Sequence, residues 1–398
     1  MLQRITLEKR RKQTIGFLGT ASYYVDQKCT VEELMNALEE RDKSSSHIYS
    51  LAVVDNNMKS LGLIVIRELF ALIGRQYGRA ILGKKNVEDV MNREAQAFNI
   101  NENIFAVGDT LEENLRNDEI TYYLLRDNDH IYKGIFSSRD ILIHLSNMTK
   151  NDMIMAQSIQ RKISREETSI HETRFDLVAS TQPVMDVGGD CYMIKNFHKN
   201  RWLFSVCDAS GKGIAASLLT TTIWGMMSIY EFRQGVMPFL KKVNNYLYDT
   251  LESERFITGI FLDFHAKSGK VQIYDMGHSY LYIHRKGRLK RIPLTGNPPI
   301  GIQELENISV GALQLREEDY LFIPTDGLLE QVNSAGTMYS IKRVETIINK
   351  NLNKPIEFVK NEIRQDFLDF KGKEHVHDDV TFQLLKYYGK EATDEYKI

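Results

Sequence analysis

Five aspartates in four separated stretches are the residues best placed to do chemistry. Asp190 follows the pair Gly188-Gly189 and stands just before an apolar-rich run over 192–197. The polar turn His198-Lys199-Asn200-Arg201 comes next, and a second run over 202–207 ends at Asp208. In an antiparallel hairpin the residue before the first strand and the residue after the second lie at the same end, so the two carboxylates are predicted neighbours. A second pair is assembled from more distant parts of the chain. The apolar run 320–323 leads into Thr325-Asp326-Gly327, and Asp378-Asp379 directly precedes a run over 380–385. If those runs are antiparallel neighbours, Asp326 also shares a sheet end with Asp378 and Asp379. Taken alone, an Asp-Gly or Asp-Asp step is an ordinary turn. Four acidic motifs at predicted strand ends, each beside small residues, point to a common site. So many carboxylates cannot stay ionised together without compensation, which hard divalent cations supply. A set of carboxylate oxygen donors favours magnesium or manganese over zinc.

The elements that must position these residues occupy 172–388. Strands are predicted over 175–180, 192–197, 202–207, 257–264, 270–276, 281–284, 320–323 and 380–385, and helices over about 214–230, 238–252 and 355–370. Pro238 is tolerated in the first turn of the second helix, and Phe239, Val243, Leu247 and Leu251 share one of its faces. Hairpins of long strands with a few long helices predict an α+β domain, a β-sandwich flanked by helices.

Upstream, residues 20–146 contain a repeat. The strand 50–54, the turn Asp55-Asn56-Asn57, the strand 62–65 and a helix from about Arg67 recur as 121–125, Asp127-Asn128-Asp129, 134–136 and a helix from about Asp140. Gly62 and Gly134 set the period at 72 residues. Such a repeat predicts two modules packed as a pseudo-symmetric pair. Between repeat and sandwich, Leu145, Met148, Met155, Ile159 and Ile163 form a helical stripe. A lone amphipathic helix must bury that stripe on its own domain or against the same helix of a second chain. The predicted organisation is therefore an N-terminal segment 1–20, the paired repeats 21–146, a linker helix 147–170, the sandwich domain 171–390 and a tail 391–398.

Bulk properties narrow the function. A chain of 398 residues exceeds one hydrophobic core. Its 42% hydrophobic and 26% charged composition is that of a globular protein, and a net charge of −2 leaves no footprint for nucleic acid. The basic run Lys9-Arg10-Arg11-Lys12 is expected as a solvated helix face. Cys29, Cys191 and Cys207 form no CxxC pair, which suits a reducing compartment. The first twelve residues hold no apolar core of a secretory signal. The uncharged stretch 213–230 contains too many Ser and Thr for a membrane span. The expectation is a cytoplasmic protein that binds neither nucleic acid nor membrane.

In order, Val187-Gly188-Gly189-Asp190, Asp208-Ala209-Ser210-Gly211-Lys212-Gly213-Ile214-Ala215-Ala216, Met276-Gly277-His278, Pro299-Ile300-Gly301, Thr325-Asp326-Gly327 and Asp378-Asp379-Val380-Thr381 resemble the SpoIIE/RsbU branch of the metal-dependent (PPM) protein phosphatases. The resemblance covers about 172–388. It implies a serine/threonine phosphatase with two manganese or magnesium ions. By motif, Asp208 would bridge both ions with the Ala209 carbonyl nearby, Asp190 would ligate one, and Asp326 and Asp378 the other, with Asp379 ranked after Asp378. Met193 replaces the last Asp of the GGDxYD pattern frequent in relatives. Ser210 stands where the wider superfamily has His, which leaves the general acid unassigned. Lys212 reads as a turn residue and His278 as a structural hydrogen-bonding residue.

The repeat resembles a pair of cystathionine-β-synthase (CBS) domains, carried best by Gly134-Ile135-Phe136-Ser137-Ser138-Arg139-Asp140. That resemblance implies a dimerising sensor that binds an adenine nucleotide through Ser137 and Asp140. The first copy has Val65 in place of the hydroxyl, and a dimerisation scaffold alone is the alternative. Together the resemblances imply a homodimer in which the linker helix gates hydrolysis of a phosphoprotein, an anti-sigma-factor antagonist by analogy with relatives. A phosphoprotein-binding pseudophosphatase and a small-molecule phosphohydrolase are the rival readings.

Overall fold

The computed structural model describes residues 2–6, 10–19, 22–42, 48–116 and 119–389. The tail 391–398 and Lys9 lie outside them. The chain divides into two compact units, Met1–Asn151 and Asp152–Ile398.

In the first unit the sequence repeat is a structural one. One copy runs through strand Ser22–Asp26, helix Val31–Asp42, strands Ser50–Val54 and Ser60–Val65, and helix Ile66–Ile73. The other runs through strand Ala97–Asn99, helix Ile104–Thr110, strands Tyr122–Arg126 and Tyr132–Ser137, and a helix from Ser138. In both, the first strand pairs parallel with the second and the second antiparallel with the third. Even the irregularities repeat at the 72-residue period. The β-bulge between Val53 and Val54 returns between Leu125 and Arg126. Met58 and His130 both take φ of 62°. The Asp55 carboxylate accepts from the Asn57 and Lys59 N–H groups, as Asp127 does from those of Asp129 and Ile131. An Asx-type turn that turns a bulged hairpin is thus duplicated as a unit. The faces of the copies meet through Ala52, Val54, Leu63, Leu124, Tyr132 and Ile135. Arg10, Arg11 and Lys12 are not helical as expected: Arg10 bonds Asn101 and the Lys12 carbonyl meets His144 Nε2.

The linker helix also differs from its predicted bounds. It runs over Ser138–Ile163, continuous with the last helix of the second repeat. Ser137 caps it, so no break separates repeat from linker. The stretch after it is not helical but the strand Glu167–Glu172, a polar edge strand with no apolar alternation to betray it. Its Glu167 is held by Lys360 and Arg364.

The second unit is two antiparallel sheets packed face to face between pairs of helices. One sheet orders strands Asp190–His198, Arg201–Ala209, Ile257–His265, Lys270–Met276 and Gly311–Gln314. The other orders Arg288–Arg291, Tyr282–Arg285, Asp319–Pro324, Val380–Tyr387, Phe175–Gln182 and Glu167–Glu172. Strand residues of each sheet alternate between the core shared by the sheets and a core under that sheet's own helices. Tyr192, Phe204, Val206, Leu321 and Ile323 fill the space between the sheets. Cys191, Met193 and Cys207 face helices Ile214–Ile229 and Val236–Leu251, beside Ile223, Met227, Phe239 and Val243. Tyr320, Phe322 and Phe382 face helices Ile341–Lys350 and Ile356–Lys371. Burial on both faces explains why these strands read as unbroken apolar runs. The stretch 213–230 is a helix packed on a sheet, and no helix among the described residues is long and apolar enough to cross a membrane. The three cysteines are buried and form no disulfide.

Candidate active site

Both predicted pairs form, and they form at one end of the sandwich. Asp190 and Asp208 are direct cross-strand partners at the mouth of the hairpin. Like charges facing each other across a ladder are destabilising, which makes this pair a candidate for cation binding. Asp326 opens the short helix Asp326–Leu329, immediately after strand Asp319–Pro324, and Asp378 lies two residues before strand Val380–Tyr387. Those strands are antiparallel neighbours with Pro324 opposite Phe382.

Gly327 makes the second pairing possible. A Cβ there would lie 2.0 Å from the Asp379 carbonyl oxygen. Only a glycine lets the turn after Asp326 close onto the backbone of 378–379. Gly188 and Gly189 do the same for Asp190. A Cβ at Gly189 would come 3.2 Å from the Ala209 carbonyl oxygen and 3.4 Å from that of Gly211. The Ala209 carbonyl thus turns toward the Gly-Gly-Asp loop.

Asp379 organises that loop. Its Oδ1 accepts from the Val184 N–H at 2.6 Å, and its Oδ2 from those of Gly189 at 2.5 Å and Asp190 at 3.2 Å. Both oxygens are engaged by backbone, so its first task is structural. The Thr325 hydroxyl donates to Asp190 Oδ2 at 2.8 Å, joining the two sheets. Gln160, on the linker helix, clamps the loop from outside. It accepts from the Gly188 N–H at 3.0 Å and donates to the Gly188 carbonyl at 2.8 Å. By contrast Met155 and Ile159 of the predicted stripe are 67% and 53% exposed.

Electrostatics agree with convergence. Burial, then Asp208 and Asp379, push the Asp190 carboxyl well above the usual range. Burial, then Asp326, Asp378 and Asp379, push Asp208 up to about 7. Asp326 is raised by burial and by Asp378, and Asp379 by burial above all. Carboxylates that raise one another make a strongly anionic cluster suited to cations. Among the described residues, no three acidic, His or Cys side chains already surround one point at ligand distance. The reason is visible in their present partners: Asp190 holds Thr325, Asp379 holds three N–H groups, and Asp378 Oδ2 sits 2.9 Å from Lys212 Nζ.

The other singled-out residues have structural roles. His278 is buried, bonds the Pro324 carbonyl at 2.9 Å, and is kept toward its neutral form by burial. Ser210 accepts from the Phe256 N–H through its hydroxyl. In the first unit Ser137 and Asp140 engage each other: Asp140 Oδ2 accepts from the Ser137 N–H at 2.8 Å and hydroxyl at 2.6 Å. Sequence alone does not single out Thr325 or Gln160. Thr325 stood in plain view in the Thr-Asp-Gly step, whereas an interior Gln on a polar helix face carries no signal.

Two packed antiparallel sheets between helix pairs, with aspartates gathered at one end, define the PP2C class of fold. The second unit shares it with the PP2C domain of SiaA from Pseudomonas aeruginosa, at 15% identity over 61% of this chain and 98% of that one, TM-score 0.50. Weaker likenesses are to the phosphatase domain and regulatory fragment of SpoIIE from Bacillus subtilis (16% identity, 54% and 64% covered, TM-score 0.44) and to the serine/threonine phosphatase of S. agalactiae (16%, 54% and 99%, 0.42). Residues 198–388 match the family described as Stage II sporulation protein E (SpoIIE). This region of the chain is therefore similar to the SpoIIE family, and its fold is that of PP2C domains. No curated protein matches the chain in sequence. The family match begins at His198, so Asp190 joins the site on geometry.

Proposed function

We propose that the second unit hydrolyses phosphoserine or phosphothreonine on a regulatory protein, using two manganese or magnesium ions. The observation that carries this reading is the convergence of Asp190, Asp208, Asp326 and Asp378 at one sheet end, each of the first three with its carboxyl raised by burial and like-charged neighbours. The all-oxygen donor set fits hard divalent ions. Asp208, central to the cluster, would bridge the pair with the Ala209 carbonyl nearby. Asp190 would hold one ion, and Asp326 and Asp378 the other. Asp379 follows Asp378 in rank because its oxygens already hold the Asp190 loop. Such ions supply Lewis acidity for attack of water on a phosphomonoester. The chain's own residues fix the geometry: Thr325 and Asp379 orient Asp190, and Gly327 sets Asp326 against Asp378.

The first unit is proposed to act as a CBS-like sensor that dimerises and takes an adenine nucleotide near Ser137 and Asp140. A ligand there has to compete with the bonds these two residues make to each other. The helix Ser138–Ile163 links that repeat to the catalytic unit, and Gln160 gives it a grip on the loop of Asp190. Exposed Met155 and Ile159 suit pairing with a second chain. A small anti-sigma-factor antagonist is the proposed substrate and the cytoplasm the proposed location, with no nucleic acid or membrane partner.

The test is hydrolysis of p-nitrophenyl phosphate and a phosphoserine peptide with and without manganese, for wild type and Asp208→Asn. Manganese-dependent turnover that the substitution removes supports the reading. Binding of the phosphopeptide without turnover would favour a pseudophosphatase, and turnover confined to nucleotides a small-molecule phosphohydrolase.

A further inference from the structure

Lys212 is not a free turn residue. Its Nζ lies 2.9 Å from Asp378 Oδ2 and also donates to the His377 carbonyl, so both contacts fall on one segment 165 residues away in sequence. The loop that carries it is set on either side. Ser210 is fixed by the Phe256 backbone, its N–H donating to the Phe256 carbonyl at 2.9 Å and its hydroxyl accepting from the Phe256 N–H at 3.0 Å. Gly211 and Gly213 take φ of 93° and 71°, conformations that side chains disfavour. The turn is therefore built to present residue 212 toward the segment 377–378. An ammonium beside a carboxylate needed for cation binding opposes that binding. The pair is also half in solvent, with side chains 46% and 45% exposed. Exposed pairs of this kind are weak and exchange readily.

We propose that Lys212 is a built-in competitor for the divalent ion at Asp378, displaced from the carboxylate when the ion enters. Lys212 is then a positioning residue: it holds Asp378 beside the Asp208–Gly213 loop and sets how tightly that side of the site takes its ion. The inference rests on the reading of these carboxylates as cation ligands.

Two readouts test it on the full chain, with manganese as the ion. Manganese binding is followed by the free-ion electron paramagnetic resonance signal for wild type, Lys212→Met and Lys212→Arg. The Met variant is expected to bind the weaker ion about 1.5- to fivefold more tightly, with the Arg variant near wild type. Separately, acylation of lysines in the wild-type protein is mapped by mass spectrometry, and the rate at Lys212 is expected to rise when manganese is added. Unchanged or weaker binding by Lys212→Met, or a Lys212 acylation rate that manganese leaves unchanged or lowers, overturns the proposal. Absence of manganese binding in all three proteins overturns the ligand reading itself, and this inference with it.

Discussion

The Thr325 hydroxyl and the Asp190 carboxylate are joined by a 2.8 Å hydrogen bond across the end of the sandwich, 135 residues apart in sequence. The same hydroxyl oxygen accepts from the Thr381 N–H at 3.0 Å. One small side chain therefore ties the hairpin of Asp190 and Asp208 to the strand ends that carry Asp326 and Asp378. Thr325→Val keeps the shape, removes the donor from a buried carboxylate and strands a buried N–H. A loss of about 1–3 kcal/mol in urea unfolding is expected, together with a higher manganese requirement for hydrolysis. Unchanged stability would show the bond to be incidental.

Gly327 offers a sharper steric prediction. Ala at this position would place its Cβ 2.0 Å from the Asp379 carbonyl oxygen, which belongs to backbone and cannot step aside. Gly327→Ala should cost about 2–4 kcal/mol and most of the activity. Gly225, inside helix Ile214–Ile229 with nothing within 4 Å of a Cβ, is the matched control. Gly225→Ala should gain about 0.5–1 kcal/mol by relieving the entropy cost of glycine in a helix. Calorimetric melting of both variants checks the contrast.

Sequence and structure agree best where periodicity carries the information. The 72-residue repeat, the paired antiparallel strands and the four acidic steps at their ends were all legible, because apolar runs and turn residues are local signals. The polar edge strand Glu167–Glu172 is not, since its inward positions are Thr168 and a lone apolar Ile170, too few apolar residues to show a period. Nor was the continuity of helix Ser138–Ile163, which extends nine residues upstream of its predicted start at 147. The partners of the aspartates were the hardest to foresee. Asp379 with Gly189, and Gln160 with Gly188, are side chain to backbone contacts over 190 and 28 residues. Bonds of that kind impose no pattern on the intervening chain.

Gln160 is the residue through which the linker helix reaches the loop of Asp190. Gln160→Ala removes both bonds to Gly188, worth about 0.5–1.5 kcal/mol each. Hydrogen exchange at the amides of 188–191 should quicken, and hydrolysis should fall, with global unfolding little changed. Unaltered exchange in that loop would remove Gln160 from the gating account.

The pH dependence of stability follows from Asp208. Its carboxyl titrates near 7 in the folded chain against about 3.9 when unfolded. Between those values the folded state binds more protons, so the stability contribution is full below about pH 4 and is lost as pH rises through 7. With EDTA present, the wild-type Tm should fall relative to that of Asp208→Asn between pH 5 and pH 8. Added manganese at pH 8 should restore the wild type and leave the variant nearly unmoved. Parallel pH profiles for the two proteins would contradict the raised Asp208.

Aspartates from four parts of the chain are proposed to hold a pair of divalent ions. Anomalous diffraction at the manganese edge, from crystals grown with manganese, tests it most directly. Two peaks are expected among the carboxylates of Asp190, Asp208, Asp326 and Asp378, with Asp208 touching both. Peaks elsewhere, or none at these side chains in crystals that contain the ion, would contradict it.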